Sequence, residues 1–113
     1  MKTKDKYILR GRDPIPCDDL LEWATWLETA PPETRQVAHE IIVGEWEIST
    51  IFLGLDMRVV TRPQEPHLFE TMVFRLRLGE RVDVKTGARC STWEQAEAQH
   101  ARIAAEFRRA VNS

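Results

Sequence analysis

The chain has 113 residues, of which 42% are hydrophobic and 30% charged, the size and composition of one globular domain. Its formal net charge of −2 gives no general attraction to nucleic acid. The charged start Met1–Lys6 lacks the apolar core of a leader peptide, and no window approaches the ~18 apolar residues of a membrane span. We therefore predict a single domain over residues 1–113, located inside a cell and not bound to a membrane.

The two cysteines, Cys17 and Cys90, lie far apart and form no metal-binding spacing. A domain of this size buries enough surface to fold without a disulfide or a metal. Two free thiols and no cofactor are the expectation.

The first 35 residues predict a frayed start, a strand and a helix. Met1–Lys6 is charged, Tyr7–Leu9 is a short apolar run, and the segment 10–14 has turn residues. A helix is predicted from an N-cap at Asp18 or Asp19 to Thr29, before Pro31-Pro32. Its expected buried stripe is Leu20, Trp23, Ala24 and Leu27, with Trp26 beside it and partly exposed.

A hairpin forms the predicted centre of the fold. Strands over 35–43 and 46–56 flank Gly44-Glu45, which suits a two-residue turn. That turn would place Val43 opposite Trp46, Ile41 opposite Ile48 and His39 opposite Thr50, on a face covered by helices. The other face would carry Glu40 and Glu47 together with Ile42, Ile51 and Leu53. Nothing would cover these three apolar residues, which favours a partner surface there.

The second half of the chain predicts two more strands and a long helix. Residues 57–67 read as a long mobile loop, and 68–77 as a strand with Leu68, Glu70, Met72, Phe74 and Leu76 facing the core. Arg81–Lys85 reads as a charged edge strand. A helix is predicted from Thr92 to Ala110, with a Ser91/Glu94 capping box and the stripe Trp93, Ala96, His100, Ile103, Ala104, Phe107 and Val111.

These elements predict an α+β domain of order β-α-β-β-β-β-α, with a mainly antiparallel sheet and both helices packed on one face. We find no internal repeat and no second domain.

No catalytic motif stands out, so a non-enzymatic protein is favoured. His39, Glu70 and His100 are weak catalytic or metal-site candidates, because two histidines and a carboxylate can bind zinc. For each of them a structural role is the competing reading: His100 lies in an apolar stripe, and Glu70 would need a partner such as Arg58 or Thr50.

Two further groups are candidate binding residues. Trp26 is the most exposed tryptophan in the predicted structure and is a candidate contact for a protein partner. Basic residues on the later strands, with Arg75 and Arg77 foremost, form either a solvated edge or a surface for an acidic protein or a nucleic-acid backbone.

Three patches, 49–56, 68–74 and 91–100, resemble in order and spacing a family of small uncharacterised proteins encoded by bacteriophages and prophages. The resemblance implies a phage accessory protein that is located in the bacterial host cytoplasm and binds a host or phage protein. Such proteins often inhibit or redirect host proteins, including defence proteins. A homodimer through the uncovered sheet face, a small metal-dependent enzyme, and a nucleic-acid-binding module are the alternatives.

Overall fold

The computed structural model describes residues 5–58 and 65–112. A two-stranded sheet contains β1 (Tyr7–Arg10) and β2 (Asp13–Pro16), followed by α1 (Leu20–Thr29) and the single turn α2 (Pro32–Arg35). A four-stranded antiparallel sheet has the order β3-β4-β5-β6, and the chain ends in α3. These last elements are β3 (Gln36–Ile42), β4 (Trp46–Phe52), β5 (Phe69–Arg77), β6 (Glu80–Cys90) and α3 (Trp93–Asn112). The predicted α+β class with a mainly antiparallel sheet is confirmed; β2 and α2 were not predicted.

The N-terminal hairpin is attached to the end of β4. Tyr7 N donates to Gly54 O (2.9 Å), and Asp56 N donates to Asp5 O (2.8 Å). Lys6 forms a β-bridge with Leu55. Asp5 and Lys6, which belong to the segment predicted to fray, are therefore held in place. The rest of the predicted frayed segment, residues 1–4, lies outside the described residues.

The β3–β4 turn corrects the predicted hairpin register by one residue. Val43 and Gly44 both have positive φ (48° and 68°), and Glu45 N donates to Ile42 O (3.0 Å). The turn is therefore centred on Val43-Gly44, because glycine takes the second positive-φ position rather than the first. Ile42 pairs with Trp46 and His39 with Ser49, which reverses the faces of β3: Ile42 is buried, and the prediction that it lies on an open face is wrong.

The face of β5 is reversed as well. Thr71 and Val73 pair with Thr50 and Ile48 and are fully buried, whereas Met72 and Phe74 lie on the opposite face with Glu70. Of the residues predicted to face the core, only Leu68 and Leu76 are buried. The pattern of β5 is apolar on both faces, so pairing with β4, and not periodicity, decides which face is covered.

We call the sheet face that bears Ile48, Thr50 and Phe52 the inner face; α3 lies across it and contacts all four strands. Two apolar clusters fill this layer. One contains Leu9, Phe52, Leu68, Phe69, Trp93 and Ala96, and the other Ile42, Ile48, Val73, Ile103 and Ala104. The predicted stripe of α3 is confirmed, with its first five members buried and Phe107 and Val111 half-buried.

Helix α1 packs at one end of the sheet. Its N-cap is Asp19, as predicted, and Trp26 contacts the Phe52 ring edge-on with centroids 5.9 Å apart. No residue of α1 is fully buried, and Leu20 and Ala24 of the predicted stripe are exposed. The helix packs on the domain through Trp23, Trp26 and Leu27. No helix in the described part of the chain is long and apolar enough to cross a membrane.

The connection after β4 is ordered at both described ends. Asp56 Oδ1 accepts from the backbone N–H of Arg58 (3.1 Å) and of His67 (3.0 Å). Asp56 therefore caps backbone groups on both sides of this connection. The middle of the predicted mobile loop, residues 59–64, lies outside the described residues.

Candidate functional site

The three candidate residues for catalysis or metal binding do not come together. His100 lies on the inner face, whereas His39 and Glu70 lie on the other face, which we call the outer face. His39 Nε2 contacts Glu47 Oε2 (2.7 Å), and Glu70 accepts from Arg89 Nε (3.0 Å). No group of three or more His, Cys, Asp or Glu residues that could hold a metal occurs within residues 5–58 and 65–112.

A polar network around His100 separates the two apolar clusters. His100 Nδ1 lies 2.7 Å from Thr50 Oγ1, which lies 2.7 Å from Thr71 Oγ1. His100 Nε2 lies 3.0 Å from Glu40 Oε1, and Arg108 donates to the other oxygen of Glu40. The network therefore joins β3, β4, β5 and α3 at the middle of the inner layer.

For a neutral His100, the carboxylate of Glu40 determines the direction of the hydrogen bonds in this network. Glu40 is an acceptor, so His100 Nε2–H donates to it and His100 Nδ1 accepts from Thr50. The single hydroxyl hydrogen of Thr50 is then used, so Thr71 donates to Thr50 while it accepts from Gln99 Nε2 (3.0 Å). A neutral His100 in this network therefore carries its proton on Nε2.

The hydroxyl, imidazole and carboxylate of Thr50, His100 and Glu40 have the composition of a nucleophile–base–acid set. Thr50, however, is 0% exposed. A nucleophile must reach its substrate, so this set has a structural role in positioning α3 on the sheet. Burial, and secondarily the charge of His39, lowers the pKa of His100 below its ordinary 6.5, which favours the same neutral form.

An ion cluster occupies the middle of the outer face. Glu47 accepts from Arg81 through both oxygens, at 2.6 and 3.2 Å, and also from His39. The Arg81 guanidinium lies 3.9 Å from the centroid of Phe74. The hydrogen bond from Arg81 is the largest cause that holds the pKa of Glu47 at about 2 rather than 4.5.

Apolar side chains surround this cluster on the outer face. Ile41, Glu47, Phe74 and Val84 form one row across the four strands, with Met72 in the next row. The helix α3 lies on the opposite side of the sheet, and Ile41 and Val84 are each more than half exposed. As far as residues 5–58 and 65–112 show, the outer face is therefore an open surface in which apolar groups alternate with paired charges.

The residues predicted to bind a partner do not form one surface. Ile42 is in the core; Ile51 is half-buried on the outer face near the end of α1, where Leu53 is also half-buried. Trp26 is half-buried against Phe52 at that same end of the sheet. Arg75 and Arg77 are exposed at the other end, next to the β5–β6 turn.

Four basic residues of the later strands have acidic neighbours. The pairs are Arg75 with Glu45, Arg81 with Glu47, Lys85 with Asp83, and Arg89 with Glu70. This internal pairing lowers the positive potential that a nucleic-acid backbone requires.

Sequence reasoning missed Glu40, Glu47 and Gln99. Glu40 and Glu47 are partners of predicted candidates, and they were assigned to one common face because the hairpin register was off by one residue. A usable signal was the presence of Thr50 and Thr71 in strongly apolar strands, since a buried hydroxyl needs a hydrogen-bond partner.

A surface cavity of about 630 Å³ lies at the start of α3 and is lined by residues such as Arg89, Gln99 and Arg102. Arg89 is already bound to Glu70 and to the carbonyl of Met57, and Arg102 contacts Glu106.

Cys17 and Cys90 are both free thiols. Burial raises the pKa of Cys90, so its reactive thiolate is disfavoured.

Comparison of the chain with protein-family models, with curated proteins and with solved structures found no match.

Proposed function

We propose that this chain is a non-catalytic protein-binding module, a phage- or prophage-encoded accessory protein that inhibits or redirects a host protein. The observation that carries the proposal is the open outer face of the four-stranded sheet. Its apolar members Ile41, Met72, Phe74 and Val84 lie around charges that already have partners.

Paired charges make such a face suited to docking. A partner that covers Glu47 or Glu70 does not strand an unpaired carboxylate, because Arg81 and Arg89 remain beside them. Apolar side chains around them supply the favourable burial. The phage and host assignments rest on the resemblance of the three sequence patches.

The size of the face indicates what the partner must reach. Four strands about 4.8 Å apart and about 23 Å long cover roughly 450 Å². A stable interface uses about 800 Å² on each partner. We therefore expect the partner to extend past the sheet face onto an edge strand or a turn.

The experiment compares capture of host proteins by the tagged wild type and by an Ile41→Ser/Met72→Ser variant. Leu20→Ser serves as the control, because Leu20 is exposed on α1, away from this face. The expected result is a host protein that the wild type and the control retain and the double variant loses. The captured protein is then purified and its affinity for all three forms measured by calorimetry.

The proposal is overturned if no purified host protein binds, or if binding is indifferent to the outer-face substitutions. Thermal melts of all three forms separate loss of binding from loss of folding.

A further inference from the structure

Two turn residues combine backbone strain with exposed apolar side chains. Val43 (φ 48°) and Leu78 (φ 54°) are the non-glycine residues of the described chain with positive φ. Val43 is 65% exposed and Leu78 98% exposed. Each stands at the first central position of a turn and precedes a glycine, where Asn, Asp or Gly fits at a lower cost. Nothing inside the described chain compensates this strain and exposure, which indicates a contact with another molecule.

Both residues lie at the same end of the four-stranded sheet. Leu76 N donates to Glu45 O (2.7 Å), which joins the β3–β4 turn to the end of β5 just before Leu78. Arg77 adjoins Leu78 and makes no ion pair with any described residue, and Arg75 meets Glu45 only at 3.5 Å. We call Val43, Arg75, Arg77 and Leu78 the sheet tip.

A complementary surface lies on α1. A depression of about 460 Å³ has apolar and acidic walls, and we call it the α1 depression; it is lined by Asp19, Leu21, Glu22, Thr25, Trp26 and Thr29. Leu21 is 76% exposed. Between Arg12 and Arg35 the chain has six acidic residues and no lysine or arginine.

The two surfaces are at opposite ends of the sheet. Trp46, at one end of β4, pairs with Arg75 of the sheet tip, whereas Phe52, at the other end, contacts Trp26 of the α1 depression. A single chain therefore cannot bring the two surfaces together, but two copies can.

We propose that copies of this chain associate head to tail, with the sheet tip of one copy seated in the α1 depression of the next. Leu78 enters the depression, Val43 packs at its rim, and Arg77 faces Asp19 and Glu22. The positive charge of the sheet tip meets the negative charge of the α1 depression, and both surfaces carry exposed apolar side chains. Such a contact is heterologous, so it produces a ring or an open chain of copies. The inference is independent of the proposed function, because it uses neither the outer face nor a host protein.

The first test measures self-association by sedimentation velocity over a range of concentrations. Leu78→Asn removes the apolar side chain and suits positive φ, so we expect it to fold at least as stably as the wild type. Leu21→Ser/Glu22→Lys alters the depression, and Leu20→Ser, which changes an exposed leucine outside the depression lining, is the control. Each of the first two variants should weaken association about tenfold or more, and the control should not.

The second test mixes the two weakened variants. The Leu78→Asn protein keeps its depression, and the Leu21→Ser/Glu22→Lys protein keeps its tip. The mixture should therefore form a one-to-one dimer that adds no further copies, because both of its free ends are substituted. Each variant alone should stay monomeric. Raising the salt concentration should weaken this dimer. A wild type that is monomeric at every concentration overturns the inference. A mixture that stays monomeric, or single variants that still dimerise alone, also overturns it.

Discussion

His100 is a buried histidine whose hydrogen-bond partners specify the tautomer of its neutral form. Gln99 at one end of the network can only donate, and the Glu40 carboxylate at the other accepts. A second proton on Nδ1 would face the donating hydroxyl of Thr50, which would then have to turn toward Thr71. Protonation therefore works against the contacts that hold α3 on the sheet.

We expect nitrogen-15 NMR to show His100 neutral at pH 7, protonated at Nε2 and not at Nδ1. Because burial lowers its folded-state pKa below 6.5, the unfolded chain binds more protons just below pH 6.5. The free energy of unfolding should therefore fall as pH drops below 6.5. His100→Gln should remove that part of the slope, as urea unfolding at several pH values would show. A charged His100 at pH 7, or a proton on Nδ1, contradicts the donor chain.

Glu47 should govern part of the stability in a more acidic range. Its pKa, about 2 in the folded state, lies below the ordinary 4.5. The stabilisation is thus complete above pH 4.5 and is lost as pH falls toward 2. Glu47→Gln should cost about 1 kcal/mol near pH 7, since Arg81 is half exposed and its pairing is screened.

Glu80→Gln is the matched control for Glu47→Gln, because Glu80 is exposed and makes no ion pair with a described residue. Urea unfolding from pH 7 to pH 2 measures both. An unchanged acid slope in the Glu47→Gln protein would refute the assignment of that slope to Glu47.

At the level of elements, Gly54 joins the end of β4 to α1 and β1. Its φ is +82°, its carbonyl accepts from Trp23 Nε1 (2.9 Å) and Tyr7 N (2.9 Å), and an added Cβ would lie 3.0 Å from Leu27 Cδ2. Three elements therefore meet at a position where only glycine fits without strain.

Gly54→Ala should lower the free energy of unfolding by about 2 kcal/mol, which combines positive-φ strain with displacement of Leu27. Gly11→Ala is the matched control: its φ is +65°, and no atom lies within 4 Å of the added Cβ, so it has the φ strain alone. Urea unfolding compares the two. Equal losses would show that contact with α1 contributes nothing.

The start of α3 differs by one residue from its sequence signature. Thr92 Oγ1 accepts from Gln95 N (3.1 Å), and Gln95 Oε1 accepts from the N–H of Ser91 (2.9 Å) and Thr92 (3.1 Å). The capping box is thus Thr92/Gln95 rather than the predicted Ser91/Glu94. Both pairs have the same spacing, so spacing alone could not choose between them.

Thr92→Ala should cost about 1 kcal/mol of stability because it removes the acceptor for Gln95 N. In thermal melts followed by circular dichroism, the variant should lose its helix signal at a lower temperature than the wild type. Ser91→Ala serves as the control and should change little. A larger loss of stability from Ser91→Ala than from Thr92→Ala would instead support Ser91/Glu94 as the capping box.

On the scale of the whole molecule, α3 covers one face of the sheet, and the other face carries exposed apolar side chains. Val73 of β5 is fully buried under α3, and Ile41 of β3 is 54% exposed on the outer face. Val73→Thr should cost about 2 kcal/mol because it buries a hydroxyl, and Ile41→Thr should cost less than about 1 kcal/mol. Chemical denaturation measures both. If Ile41→Thr costs more stability than Val73→Thr, the assignment of the core to the face of Val73 is wrong.

Local patterns predicted the elements well where one signal was strong. The stripe of α3, the Asp19 cap of α1 and the four strands of the main sheet follow from apolar period, capping chemistry and β-branched runs. The short β2 contains two prolines, and α2 is a single turn, so neither has enough residues to show a period.

Sequence reasoning named His39, Glu70 and His100, but neither their partners nor their arrangement. Each has a charged partner, yet the three lie on two different faces, because the shifted turn reverses β3 and the pairing with β4 reverses β5. Glu40, predicted to face away from the helices, bonds His100 for this reason.

The sequence by itself determined the fold class, the stripe of α3 and the need of a buried histidine for partners, since these depend on spacing within one segment. Only the tertiary structure decided which face of β3 and β5 is covered, which end of the sheet carries Leu78, and which carries α1. Both faces of these strands are apolar enough to be buried, so the choice belongs to the turn geometry and to pairing with β4, which are relations between segments.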